Sequence, residues 1–197
     1  MFDSNRQYEI RIPSGTMKKC VLRFPSDQEL IERTRAQKTI RRQVGRNTET
    51  SAPGAPAVNL ELFQKIRIDT DGQSFDEHEA TAALARLERI EILDCERAGD
   101  TFTVRMNVPG GEVTHALRMP TQADISAYAR SSVRRQEGRR EVTTVVDLAP
   151  AGALWQKLAA GTTGYAEGSA VPICHQDAAL VEVLSEIDRA TEDADPE

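Results

Sequence analysis

Chemistry at neutral pH falls first to histidine and cysteine, and the chain holds three of each. His78 and His115 stand alone, while Cys174 and His175 place a thiol beside an imidazole. Their spacing forms no C-x-x-C pair and no Cys/His set of the kind that closes around zinc, and three cysteines do not make a disulfide framework. Cys20, Cys95 and Cys174 therefore read as free, mostly buried thiols. The stretch 68–80, IDTDGQSFDEHEA, superficially resembles a calcium loop. That loop needs a third oxygen ligand, then a glycine, and a bidentate glutamate at its twelfth position. Counted from Asp69, those positions hold Gln73, Ser74 and Ala80, so a turn entering a capped helix is the better reading. No glycine-rich phosphate loop follows a strand, no G-x-S-x-G elbow occurs, and Gly161-Thr162-Thr163-Gly164 lacks the lysine of a phosphate loop. The expectation is a protein without catalytic residues, cofactor or metal.

The side chains that do stand out are arginines. Residues 32–46 hold Arg33, Arg35, Lys38, Arg41, Arg42 and Arg46 against Glu32 alone, and residues 130–141 hold Arg130, Arg134, Arg135, Arg139 and Arg140 against Glu137 and Glu141. The whole chain, with 25 Lys+Arg and 31 Asp+Glu, is acidic at −6. Charge is thus segregated: 61–100 carries eleven acids against five bases, and 176–197 eight against one. A face that pairs with the chain's own acidic segments and an acidic protein partner both suit this pattern. Nucleic acid ranks behind them, because no aromatic residues interleave with the arginines as base-stacking surfaces require.

An internal repeat organises the elements that carry these residues. Leu22-Arg23-Phe24-Pro25 matches Leu117-Arg118-Met119-Pro120, and Arg41-Arg42-Gln43 matches Arg134-Arg135-Gln136. Further on, Leu62-Phe63-Gln64-Lys65 aligns with Leu154-Trp155-Gln156-Lys157, and Ala82-Ala83-Leu84 with Ala178-Ala179-Leu180. Matched blocks in one order indicate a tandem duplication, with a first unit at 1–97, a second at 98–190 and an acidic frayed tail at 191–197.

Within each unit, two short alternating runs around a turn predict a β-hairpin: 8–12 with 19–24, and 102–108 with 113–119. Each hairpin runs into a proline and then a helix start signal, Ser26 with Glu29 and Thr121 with Asp124. Both basic stretches are expected to be helices, ending near Gly45 and Gly138. The segment 47–57, NTETSAPGAPA, reads as an exposed linker. A short helix follows at 60–66, and a capped helix at 77–89 has its counterpart at 176–189. Residues 90–95 read as a strand able to pair with 102–108. The fold class expected is α+β, a duplicated unit of hairpin, capped basic helix and further short helices. Only 5% of residues are aromatic, so the cores must be small and mostly aliphatic.

The block Leu22-Arg23-Phe24-Pro25-Ser26-Asp27-Gln28-Glu29, leading into the arginines that end at Gly45-Arg46, resembles the tail assembly chaperones of tailed phages and prophages. The resemblance covers about the first forty residues of each unit. It implies a non-enzymatic factor that holds tail-tube or tape-measure protein ready for assembly. The contact surface expected comprises Arg33, Arg35, Lys38, Arg41, Arg42, Arg46, Arg130, Arg134, Arg135 and Arg139, with Phe63 and Trp155 beside them. Two alternatives stand next to this one: a nucleic-acid-binding module using both arginine segments, and a structural virion component that associates with itself. With no apolar run of ~18 residues and no leader pattern, the chain is expected in the cytoplasm without a membrane partner.

Overall fold

The computed structural model describes residues 1–13, 17–44, 47–69, 72–138 and 141–192. In chain order the elements are β1 (Gln7–Pro13), β2 (Met17–Arg23), α1 (Asp27–Ala36), β3 (Lys38–Val44), β4 (Asn47–Ser51), α2 (Ala55–Ile66) and α3 (Glu77–Leu87). They continue as β5 (Glu91–Ala98), β6 (Thr101–Val108), β7 (Gly111–Arg118), α4 (Gln122–Ser132), β8 (Val133–Glu137), β9 (Glu141–Val146), α5 (Ala149–Leu158), β10 (Ala159–Thr163) and α6 (Ile173–Glu192). The class is α+β, and among the described residues every strand pair within the three sheets is antiparallel. The order hairpin, helix, hairpin, helix, helix runs through β1 to α3 and again through β6 to α6, where β10 is an addition. No helix among the described residues is long and apolar enough to cross a membrane.

The chain divides into two compact units, neither of them continuous in sequence. One comprises Asn5–Glu88 and Arg130–Leu148. Its β1–β2 hairpin puts Tyr8, Ile10 and Ile12 inward at alternate positions, with Cys20 and Leu22 opposite. Helix α3 covers them with Ala80, Ala83, Leu84 and Leu87, a stripe at helical spacing. The other comprises Met1–Ser4, Arg89–Ala129 and Ala149–Glu197. Its sheet has the order β10-β7-β6-β5, and Phe102, Val104 and Met106 alternate inward under α5 and α6. The predicted strand at 90–95 is β5, paired with β6 and interrupted by a bulge between Ile92 and Asp94.

The helix starts form as their sequences require. Ser26 Oγ accepts from the Glu29 amide at 3.3 Å, while Glu29 Oε2 accepts from the Ser26 amide at 2.9 Å. Arg23 forks onto the same carboxylate at 2.6 and 2.8 Å. Those Arg23 bonds, helped by Ser26, hold the Glu29 carboxyl down to about 2. Asp76 and Glu79 make the same reciprocal pair at the start of α3, and Thr121 and Asp124 do so at α4. Replacing Ser26 with alanine leaves one orphan donor in the first turn of α1. The expected loss is about 1 kcal/mol in urea unfolding, with an unchanged m-value.

The basic stretches are not helices along their length. Helix α1 ends at Ala36 with Gln37 as an extended C-cap, and Lys38, Arg41 and Arg42 lie in β3. Helix α4 ends at Ser132, so Arg130 is helical while Arg134 and Arg135 lie in β8. The β-branched Val133 directly follows α4, and Thr39 and Ile40 follow Gln37 and Lys38 after α1; β3 and β8 both pair with β9, which favours the extended form. The expected linker is likewise structured: 47–51 is β4, and α2 begins at Ala55 with Pro56 in its first turn, where the missing N–H costs nothing. Gly45, Arg46, Arg139 and residues 193–197 of the tail lie outside the described residues.

Candidate functional site

Two places in the molecule gather the side chains that sequence reasoning singled out. The first is the sheet of order β4-β3-β9-β8, made of two hairpins that meet along β3 and β9. No described side chain in its four strands is buried. Cross-strand registers place Lys38, Arg42 and Arg134 on one face and Arg41 and Arg135 on the other. Arg42 reaches Glu141, its direct neighbour across β3 and β9, at 2.7 Å. Lys38, Arg41 and Arg135 are exposed. With its described side chains at most half-buried, the sheet gains little from burial, so its stability rests largely on ladder bonds and cross-strand pairs.

Other predicted contact residues have internal partners. Arg33 forks onto Glu88, one of the two bonds measuring 2.7 Å, with both side chains about nine-tenths buried. Burial lifts the Glu88 carboxyl above its ordinary value, and the Arg33 hydrogen bonds pull the other way. Arg35 reaches the buried Asp147 at 2.9 Å, and Arg134 lies 4.0 Å from the same carboxylate. Arg130 is exposed at the end of α4. Phe63 is 1% exposed and packs against Phe75 at a tilt, with ring centroids 5.1 Å apart. It is a core residue and offers no contact surface, because the apolar stripe of α2 faces inward.

The second place is a largely buried polar chain that sequence reasoning missed. Trp155 Nε1 donates to His115 Nδ1 at 3.2 Å, His115 Nε2 lies 2.8 Å from Tyr165 Oη, and that oxygen lies 3.1 Å from His175 Nδ1. An indole N–H can only donate, which makes His115 Nδ1 the acceptor. In a neutral ring the proton is then on Nε2, where it donates to Tyr165, and the phenol hydrogen is left to donate to His175. Both imidazoles are fully buried, and burial lowers their pKa values, His115 to about 4 and His175 to about 3. Phe2 closes one side, its ring 4.7 Å from His175 and 5.7 Å from Tyr165. Its backbone bonds Gly164 and Ala166, each at 2.8 Å.

A signal for this cluster existed in the repeat. Cys20 and Phe63, both buried, stand where His115 and Trp155 stand in the second half. Two apolar positions thus carry hydrogen-bonding side chains together, as a linked pair would. A chain of neutral donors and acceptors linked in this way helps to order a core. No group of His, Cys, Asp and Glu able to hold a metal ion occurs among the described residues. The chain matches no protein-family model, no curated protein sequence and no solved structure.

Proposed function

We propose that this protein acts by binding other proteins rather than by catalysis, with the sheet of β4, β3, β9 and β8 as its contact surface. The observation that carries this reading is a sheet whose described side chains all remain unburied, with Lys38, Arg41 and Arg135 exposed upon it. Its compact unit carries 19 Lys+Arg against 15 Asp+Glu, a balance of +4 in a chain of −6, so an acidic partner fits it. The resemblance to tail assembly chaperones specifies that partner as tail-tube or tape-measure protein, held before assembly.

The test is affinity capture by the tagged full chain from a phage-producing lysate, with and without nuclease, read by mass spectrometry. Nuclease-resistant recovery of tail-tube or tape-measure protein is expected. Arg41→Glu with Arg135→Glu, two exposed residues of one face, should cut that recovery at least tenfold while Trp155 fluorescence stays unchanged. Recovery limited to nucleic acid and its passengers would replace this reading with phosphate binding, recognisable by a steep fall in affinity with salt.

A further inference from the structure

The two halves of the chain pair equivalent charges differently at the start of their first helices. Arg23 ends β2 and Arg118 ends β7, at matched places in the repeat, and each stands two residues ahead of a proline. In the first half Arg23 forks onto Glu29, the acid that closes the cap of α1, at 2.6 and 2.8 Å. In the second half that acid is Asp124, one methylene shorter, and Lys157 bonds it instead. Arg118 is left exposed, its guanidinium without a hydrogen bond or ion pair among the described residues. It lines an open cleft of about 680 Å³, together with Asp100, Met119, Pro120 and Ala160, all within one compact unit. Asp100 is exposed as well, and its carboxylate has no partner among the described residues. Its backbone carbonyl accepts from the Met119 amide at 2.8 Å, which holds the two sides of the cleft together.

We propose that this cleft binds a small zwitterion, a free α-amino acid with an apolar side chain, its carboxylate on Arg118 and its ammonium on Asp100. The first half identifies the anion, because the matching arginine there holds a carboxylate with both terminal nitrogens. A planar guanidinium fork suits a carboxylate in this bidentate way. Asp100 identifies the cation: it accepts only, and an ammonium brings the donors it lacks. Arg118 and Asp100 are the charged residues of the lining, and their charges cancel. A simple anion therefore meets Asp100 and a simple cation meets Arg118, whereas a ligand carrying both charges satisfies both groups. Met119, Pro120 and Ala160 supply apolar surface for the side chain. Both charged groups face water, so the affinity expected is on the order of millimolar.

Titration of the isotope-labelled full chain by two-dimensional NMR tests this, with norleucine as the probe. Hexanoate is the same molecule without the ammonium, and pentylamine the same without the carboxylate. Saturable shifts at the amides of Asp100, Arg118 and Met119 are expected with norleucine, and binding at least tenfold weaker with either singly charged analogue. Arg118→Met should weaken norleucine binding at least tenfold, and Asp100→Asn should abolish the preference for norleucine over hexanoate. Asp124→Glu with Lys157→Met rebuilds the pairing of the first half, so that the fork is filled from within and binding falls at least tenfold. The side chains of Arg118 and Asp100 are exposed, so both single variants should keep the amide spectrum of the fold elsewhere. No saturable shift into the tens of millimolar would overturn the proposal. So would either analogue binding as tightly as norleucine, or binding that Arg118→Met leaves unchanged. The exposed sheet takes no part in this experiment, so the two readings fail separately.

Discussion

Acidification from about pH 7.5 to about pH 5 is expected to lower stability by roughly 2 kcal/mol for each of His115 and His175. In the unfolded chain both imidazoles take up protons below about 6.5. In the fold burial holds them neutral down to about 4 and about 3. The unfolded state therefore binds more protons throughout that window, and stability rises with pH across it. It is complete above the unfolded value, falls as acid is added, and stops falling once the folded rings protonate as well. Asp177, whose carboxyl burial raises above its ordinary value, works in the opposite sense. Its side chain accepts from Tyr128 Oη at 2.7 Å, on the same compact unit.

Trp155 is the single tryptophan and bonds His115 directly, so its fluorescence follows the unit that contains the cluster. Denaturant unfolding followed at that wavelength should show the pH slope in the wild-type chain. The slope should roughly halve in His175→Gln, which keeps an acceptor and removes one titrating group. A slope identical in wild type and variant would mean that His175 is not held neutral by the fold.

Gly164→Ala is expected to destabilise the same unit by at least ~3 kcal/mol, from left-handed backbone strain together with a buried steric clash. Gly164 has φ +86°, and a Cβ there would lie 2.3 Å from the Glu112 carbonyl oxygen and 2.8 Å from Val113 Cα. Both neighbours are backbone of β7, which is held in the sheet between β6 and β10 and has no side chain to swing aside. The added methyl group must displace β7 or the segment at Gly164 that bonds Phe2. Gly161→Ala, three residues earlier in β10, is the control: open space surrounds its Cβ position. Equal melting temperatures for the two variants would show that the segment at Gly164 yields without cost.

The hairpins β1–β2 and β6–β7 and the starts of α1, α3 and α4 were legible because their determinants are local. Alternation of Tyr8, Ile10 and Ile12 sets a strand, and a hydroxyl or carboxylate three residues ahead of an acid sets a helix start. The strands β3 and β8 were illegible for the converse reason. Their arginines suit an exposed helix as well as an exposed strand, and the arbiter is β9, which lies some hundred residues from β3 along the chain. With no described side chain buried, neither strand shows the apolar alternation that separates one period from the other. The polar cluster failed to show for a related reason. His115 bonds Trp155 and Tyr165, residues 40 and 50 positions away, and only the fold brings them together.

The interleaving of the two compact units has a consequence for synthesis. The chain passes from one unit to the other after Ser4, Glu88, Ala129 and Leu148, so no single cut yields either unit whole. Strand β3 leaves the ribosome about a hundred residues ahead of β9, the neighbour it will pair with. At ~5–20 residues per second, a nascent chain presents that open edge for on the order of ten seconds. During this interval any extended segment nearby competes for the place that β9 will take. Partial translation products that end before Glu141 keep the edge open indefinitely, and they are the species most prone to join one another.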